Sequence, residues 1–213
     1  MNAELYNGYW ISTDTYLTQA HRDENAQLIF NYLSNLRWTR EAIAGILGNM
    51  DVESSVNPAL IEHGNHHTLI TNTECLALPT DTGVGLVQWT GNGSTPPIGQ
   101  KLASFAIRNN KEWYDGELQC FRLEREYQLD LQFLPTTVDG VQWTWGDYVN
   151  STDSPEHLAK VWQYAYERGG SDTALRQTRA RYYYETIRQI TPVWLDFIMA
   201  KRRKEFKRPC RRI

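Results

Sequence analysis

Glu53 stands where an apolar helical stretch gives way to Ser54-Ser55-Val56-Asn57-Pro58, and Gly83-Val84-Gly85-Leu86-Val87-Gln88-Trp89 answers it further along the chain. A carboxyl at the end of a buried helix can serve as a general acid toward a glycosidic oxygen, provided it keeps its proton near neutral pH. The sequence meets that condition in outline. Ala42, Ile43, Ile46, Leu47 and Met50 follow the i, i+3, i+4, i+7 spacing of an inward helical face, with Thr39 placed to cap it. Glu53 and Val56 continue this stripe, whereas Asp51 and Ser55 fall off it. A glutamate on the apolar side is desolvated, which favours its protonated form. Ser54, Asn57 and Pro58 end the helix just beyond Glu53 and bring the carboxyl to an edge. The glycine-flanked stretch through Gln88 and Trp89 reads as a strand forming the opposite wall.

Glycoside hydrolysis usually takes a second carboxylate, about 5 Å from the acid in retaining enzymes and about 6.5–9.5 Å in inverting ones. Asp81, just ahead of Gly83, is the best positional candidate, and Glu74 is the next. A single-glutamate route, in which the acid later acts as base toward the sugar's own hydroxyl, stays open. Other chemistries are less well served. His63, His66 and His67 share one polar loop near Glu62, Cys75 and Asp81, but their spacing matches no zinc signature, so neither a metal nor a cofactor is expected. Ser54 and Ser55 lack the turn context of an activated nucleophile.

The bulk numbers bound the setting. A chain of 213 residues with 41% hydrophobic and 22% charged content suits one soluble domain with a sizeable core, or one domain with appendages. Eight tryptophans and twelve tyrosines imply either a large aromatic core or a sugar-binding groove. Between Lys201 and Ile213 eight Lys and Arg face one Glu, a local +7 in a chain of net charge −3, so residues 1–200 stand at −10. Such a basic tail suits an acidic partner or DNA, or else a solvated terminus. Cys75, Cys120 and Cys210 are odd in number and widely spaced, which argues for free thiols and synthesis in a reducing cytoplasm. Neither a signal peptide nor a membrane-spanning stretch is visible, and no membrane insertion is expected.

The elements that must position Glu53 are mostly helical. Helices are predicted over 25–36, from Thr39, over 98–111, over 115–134, near Trp143–Tyr148, from Ser154-Pro155 to Tyr166, and over 172–190. Residues 59–82 read as a polar loop or short hairpins. The fold class is therefore mostly α, with one small β-region. Residues 1–22 form an N-terminal extension, 23–190 the catalytic domain, and 191–213 a basic tail that docks or is disordered.

Glu-Ser-Ser-Val-Asn-Pro followed by Gly-Leu-Val-Gln-Trp resembles the lysozyme-like superfamily of goose-type lysozymes and lytic transglycosylases, in which a Glu-Ser motif precedes Gly-x-x-Gln. The chain resembles most closely the phage tail lysozymes, muramidases carried at the tail tips or knobs of small tailed phages. Tyr32-Leu33-Ser34, Ala42 to Met50, Ser154 to Ala159 and Ala165-Tyr166-Glu167-Arg168 agree with this, from about Asp23 to about Ile190. The resemblance implies a lysozyme-like helical domain with the β-region as one wall of a cleft. It assigns Glu53 as general acid, places Gln88 in the cleft, and gives Trp89 and Tyr166 contact with substrate. Tyr166 matches the tyrosine of a transglycosylase Ala-Tyr-Asn-Ala-Gly motif, whose hydroxyl helps position the catalytic glutamate; Glu167 and Arg168 depart from that motif. The implied partners are bacterial peptidoglycan and other phage tail proteins, and the implied location is the virion. A lytic transglycosylase, an endolysin released at lysis, and a non-catalytic wall-binding or structural tail protein are the alternatives.

Overall fold

The computed structural model describes residues 5–7, 10–13, 15–62, 69–91, 101–169 and 171–187. The histidine loop, Cys210 and the basic tail lie outside these residues. A first hairpin pairs β1 (Leu5–Asn7) with β2 (Trp10–Ser12) and leads into α1 (Gln19–Asn35) and α2 (Arg40–Ser54). Short helices α3 (Asn72–Ala77) and α4 (Leu102–Arg108) precede α5 (Gly116–Gln128). A second hairpin, β3 (Thr136–Val138) with β4 (Val141–Trp143), is followed by α6 (Trp145–Val149) and α7 (Pro155–Trp162). One π-helical turn, Gln163–Glu167, continues α7, and α8 (Thr173–Thr186) closes the described chain. The fold is mostly α and lysozyme-like.

Local chemistry sets the helix starts. Thr39 accepts from the Ala42 amide at 3.3 Å, and Ser154 accepts from the His157 amide at 3.2 Å with Pro155 in the first turn. The first helix begins earlier than its apolar pattern suggests, because Thr18 caps it through the His21 amide.

α2 runs through the middle of the domain, contacted by α8, α7, α1 and α6. Every residue from Ala42 to Asp51 is buried, so the helix has no solvent face over that span. This corrects the expected single stripe: Asp51 and Ser55 are buried with the rest. Close packing depends on Gly48, where a Cβ would lie 2.4 Å from the Arg176 carbonyl oxygen on α8.

The aromatic residues resolve in favour of a core. Every tryptophan among the described residues is buried. Trp145 packs edge-on against Trp38 and Trp162 with ring centroids 5.9 and 5.5 Å apart. Cys75 and Cys120 are buried free thiols, and burial pushes Cys75 up to about 12.

Candidate active site

Three stretches converge at the C-terminal end of α2. The first is the helix end itself. Ser55 and Val56 adopt left-handed backbone conformations (φ 59° and 51°), and their amides bond back to Asp51 and Met50. Left-handed φ is costly for a β-branched valine and persists only where the surroundings enforce it. Here they do. The Ser54 hydroxyl bonds to the carbonyls of Met50 (2.9 Å) and Leu86 (2.8 Å), and Ser55 Oγ accepts from the Leu17 amide at 3.0 Å. Asn57 Nδ2 donates to the carbonyls of Thr13 and Thr15 at 2.9 and 2.8 Å. The Ser-Ser-Val-Asn run therefore rivets the helix end to the N-terminal segment and to the facing wall, leaving Glu53 presented outward.

The facing wall is a tight turn rather than the expected strand. Isolated bridges join Ile61 to Val84 and Val84 to Trp89. Between the latter two, Gly85 (φ 79°) and Gln88 (φ 49°) take conformations a strand cannot hold. Gln119 packs beneath it: its Oε1 accepts from the Leu86 amide at 2.8 Å, and it would lie 2.6 Å from a Cβ at Gly85. Gln88 Nε2 donates to the Gly85 carbonyl at 2.8 Å and to Leu60 at 3.3 Å, and Glu62 Oε2 accepts from the Gly83 amide at 3.0 Å.

The third stretch is the π turn after α7. Extra residues of this kind inside helices are frequent at functional sites. This one turns consecutive residues to different tasks. Tyr166 points into the core, stacked on Trp162 at 4.1 Å, and donates to Glu126 Oε2 at 2.5 Å. Glu167 faces the cleft, with its Oε1 accepting from Trp162 Nε1 at 2.9 Å. Arg168 (φ 63°) then ends the turn.

Together these walls enclose an open cleft of about 370 Å³, lined by Glu53, Glu62, Gln88, Glu167, Tyr16 and Arg168 among others. Glu53, with its side chain 24% exposed, bonds to Arg176 Nη2 at 2.5 Å. Arg176 is itself buried on α8 and fixed by Asn49 Oδ1 at 3.0 Å. Glu167, half-buried, is the carboxyl whose proton affinity is raised, to about 8: burial is the main cause, the Glu53 charge the next, with the Trp162 N–H and Arg176 opposing them. Arg176 thus bonds to Glu53 and acts on Glu167 through its charge alone.

Of the residues singled out in the sequence, Glu53 and Gln88 line the cleft. Trp89 and Tyr166, read there as substrate contacts, are 5% and 2% exposed and cannot touch a sugar directly. They belong to a buried network behind the site. Trp89 Nε1 donates to Glu126 Oε1 (3.1 Å) and to the Tyr166 hydroxyl (2.9 Å), while Arg122 Nε donates to the same Glu126 oxygen at 2.9 Å. The Tyr166 hydroxyl therefore positions Glu126 rather than Glu53. Asp81 is exposed in the Pro79–Thr82 turn and is not among the cleft-lining residues, because the tight turn carries it outward. Glu74 caps α3, accepting from the Thr71 amide at 2.7 Å and its hydroxyl at 2.8 Å; these bonds hold its carboxyl below the usual range. Among the described residues, no group of three or more His, Cys, Asp and Glu is arranged for a metal, and no helix is long and apolar enough to cross a membrane.

Glu167 and Arg176 were not singled out as cleft residues from the sequence, and Glu62 entered only as a possible further ligand beside the histidine loop. The only hint was the departure at Glu167-Arg168 from the transglycosylase motif. Comparison with known proteins agrees with the geometry. Morphogenesis protein 1 of Bacillus phage B103 is 31% identical over 180 residues, which cover 83% of this chain and 42% of that protein. The chain thus spans less than half the length of this relative. The phage tail lysozyme family matches residues 24–187, which include α2, the Gly83–Trp89 turn and the π turn. With the cleft they form and a match over most of its length, the chain belongs to the phage tail lysozyme family.

Proposed function

We propose that this protein is a muramidase that hydrolyses the peptidoglycan glycan between N-acetylmuramic acid and N-acetylglucosamine, with Glu53 as the general acid. The observation that carries this reading is the end of α2. There a half-buried carboxyl, locked by Ser54, Ser55 and Asn57, faces an open cleft within the volume range of ligand sites. Glu53 protonates the leaving oxygen as the glycosidic bond breaks, and water completes the reaction at the sugar carbon. Gln88 lines the opposite wall, with its amide nitrogen committed to two backbone carbonyls and its carbonyl oxygen available to a sugar hydroxyl or acetamido N–H. The exposed Tyr16 ring at the cleft offers a flat face for a sugar to stack on. Trp89 and Tyr166 support the site from beneath.

The test is digestion of purified bacterial peptidoglycan followed by mass spectrometry of the products. New reducing ends on muramic acid support hydrolysis. Products ending in 1,6-anhydro sugars would reassign the protein as a lytic transglycosylase, which needs one glutamate alone. Absence of glycan cleavage on several wall chemotypes would leave a wall-binding or structural tail protein.

Membership of the phage tail lysozyme family supports action from the virion, at the tail tip or knob, where the protein opens the wall for genome entry. Residues 191–213 attach it to neighbouring tail proteins, with the basic cluster against an acidic surface or DNA. Mass spectrometry of purified virions tests this. A defined copy number supports a tail component, and presence only in the lysate supports an endolysin.

A further inference from the structure

We propose that Glu167 is a positioning residue that works through Glu53: the two carboxyls form one acid pair across the cleft, in which Glu167 keeps a proton available to Glu53. The proposal rests on the reading of Glu53 as the acid. Its basis is geometric. Both side chains line the same cleft, and each is held through Oε1, Glu53 by Arg176 at 2.5 Å and Glu167 by Trp162 at 2.9 Å. Neither Oε2 takes a hydrogen bond from the described residues, so both remain available to a proton, a water or a sugar oxygen. The backbone on both sides is committed to this placement, by the left-handed Ser55 and Val56 after Glu53 and by the π turn ending in left-handed Arg168 for Glu167.

The charges around the pair explain why two carboxyls are useful. Glu167 faces Glu53 and Glu126, both of which oppose its ionisation, and Arg176 and the Trp162 N–H, which favour it. Glu62 and Arg168 line the same cleft. Burial outweighs the rest and pushes Glu167 up to about 8. When carboxyls are coupled in this way, the protons belong to the pair rather than to either member. Arg176 draws the negative charge to the Glu53 side and leaves the proton on the Glu167 side. In the reaction, the proton held on the Glu167 side passes to Glu53 and from Glu53 to the glycosidic oxygen as the C–O bond breaks, leaving both carboxyls ionised. Water then adds its hydroxyl to the sugar carbon and returns its remaining proton to the pair, which regains its starting charge. Without Glu167, the Arg176-bound Glu53 would lose the neighbouring carboxyl from which its proton comes.

The experiment is the pH profile of reducing-end release from purified peptidoglycan, from about pH 4 to about pH 9, for the wild type, Glu167→Gln, Glu167→Asp and Trp162→Phe. In Glu167→Gln the alkaline limb is expected to move to lower pH by at least about one unit, a loss of about tenfold or more on the alkaline side with activity surviving on the acid side. Glu167→Asp restores part of the shift. Trp162→Phe removes a donor that favours the Glu167 carboxylate and moves the limb the opposite way. An equal loss at every pH with the limb in place would overturn the proposal in favour of a structural role. Complete loss at every pH in folded protein would overturn it by making Glu167 the acid itself.

If the wild type cleaves no glycan, the muramidase reading fails first, and thermal stability against pH still tests the pair. The folded protein keeps a proton that the unfolded chain releases between about 4.5 and about 8, so stability falls as pH rises through that window. Glu167→Gln should lack this decline. The same decline in both proteins would refute the pairing.

Discussion

Asp51 and Glu53 sit two residues apart on the same helix, yet they meet opposite surroundings. Asp51 faces a closed, paired environment. Its side chain is 3% exposed, Arg22 donates to Oδ1 at 2.9 Å, Arg179 approaches the same oxygen at 3.4 Å, and the Tyr183 hydroxyl donates to Oδ2 at 2.5 Å. Both oxygens are occupied, and Asp51 is not among the residues that line the Glu53 cleft. Glu53 has a single cation on one oxygen, a second carboxyl nearby and open volume in front. A buried carboxylate with both oxygens paired is a fastener; one left partly satisfied beside a cleft is poised to exchange a proton. The difference lies in what α8 and the π turn bring to each, since the helix itself treats them alike.

The comparison can be broken most sharply at Glu53. Glu53→Gln keeps the shape and removes the transferable proton, so glycan cleavage should fall by about 10²–10⁴-fold while the protein remains folded, as checked by circular dichroism. Gly48→Ala should come next. Its Cβ would press on the α8 backbone at Arg176, which costs about 1–3 kcal/mol in thermal denaturation and also lowers activity, because Arg176 holds Glu53. Asp51→Asn should cost about 1–3 kcal/mol of stability by denaturant titration, with turnover per folded molecule near wild type. Tyr16→Ala should raise KM severalfold with kcat retained, consistent with the loss of about 0.5–1.5 kcal/mol of stacking. Asp81→Asn should change neither rate nor stability measurably, because the side chain is exposed and away from the cleft.

Much of this was legible in the sequence where a local rule governs. The Thr39 and Ser154 caps, the Pro155 start and the apolar run of α2 are short-range signals, and the structure follows them. The placement of Gln88 could be read from its glycine-flanked segment, but the tight turn could not. It depends on Gln119, a residue on α5 distant in sequence, filling the space that Gly85 leaves. Asp81 looked close because a straight strand would carry it toward Glu53, and the turn reverses that course. Arg176 and Glu167 were hidden for a related reason. Their role comes from α8 packing onto Gly48 and from a π turn that no periodicity announces. The burial of Asp51 is likewise a property of its neighbours, since only a helix surrounded on all sides buries both faces.

The most direct measurement is the rate of reducing-end release per folded molecule by Glu53→Gln and Asp51→Asn in the same peptidoglycan digestion, with the folded fraction fixed by circular dichroism. Glu53→Gln is expected to lose at least about a hundredfold while Asp51→Asn stays within about twofold of the wild type. Near-normal turnover by Glu53→Gln, or equal losses in the two variants, would contradict the assignment of chemistry to the cleft side of α2.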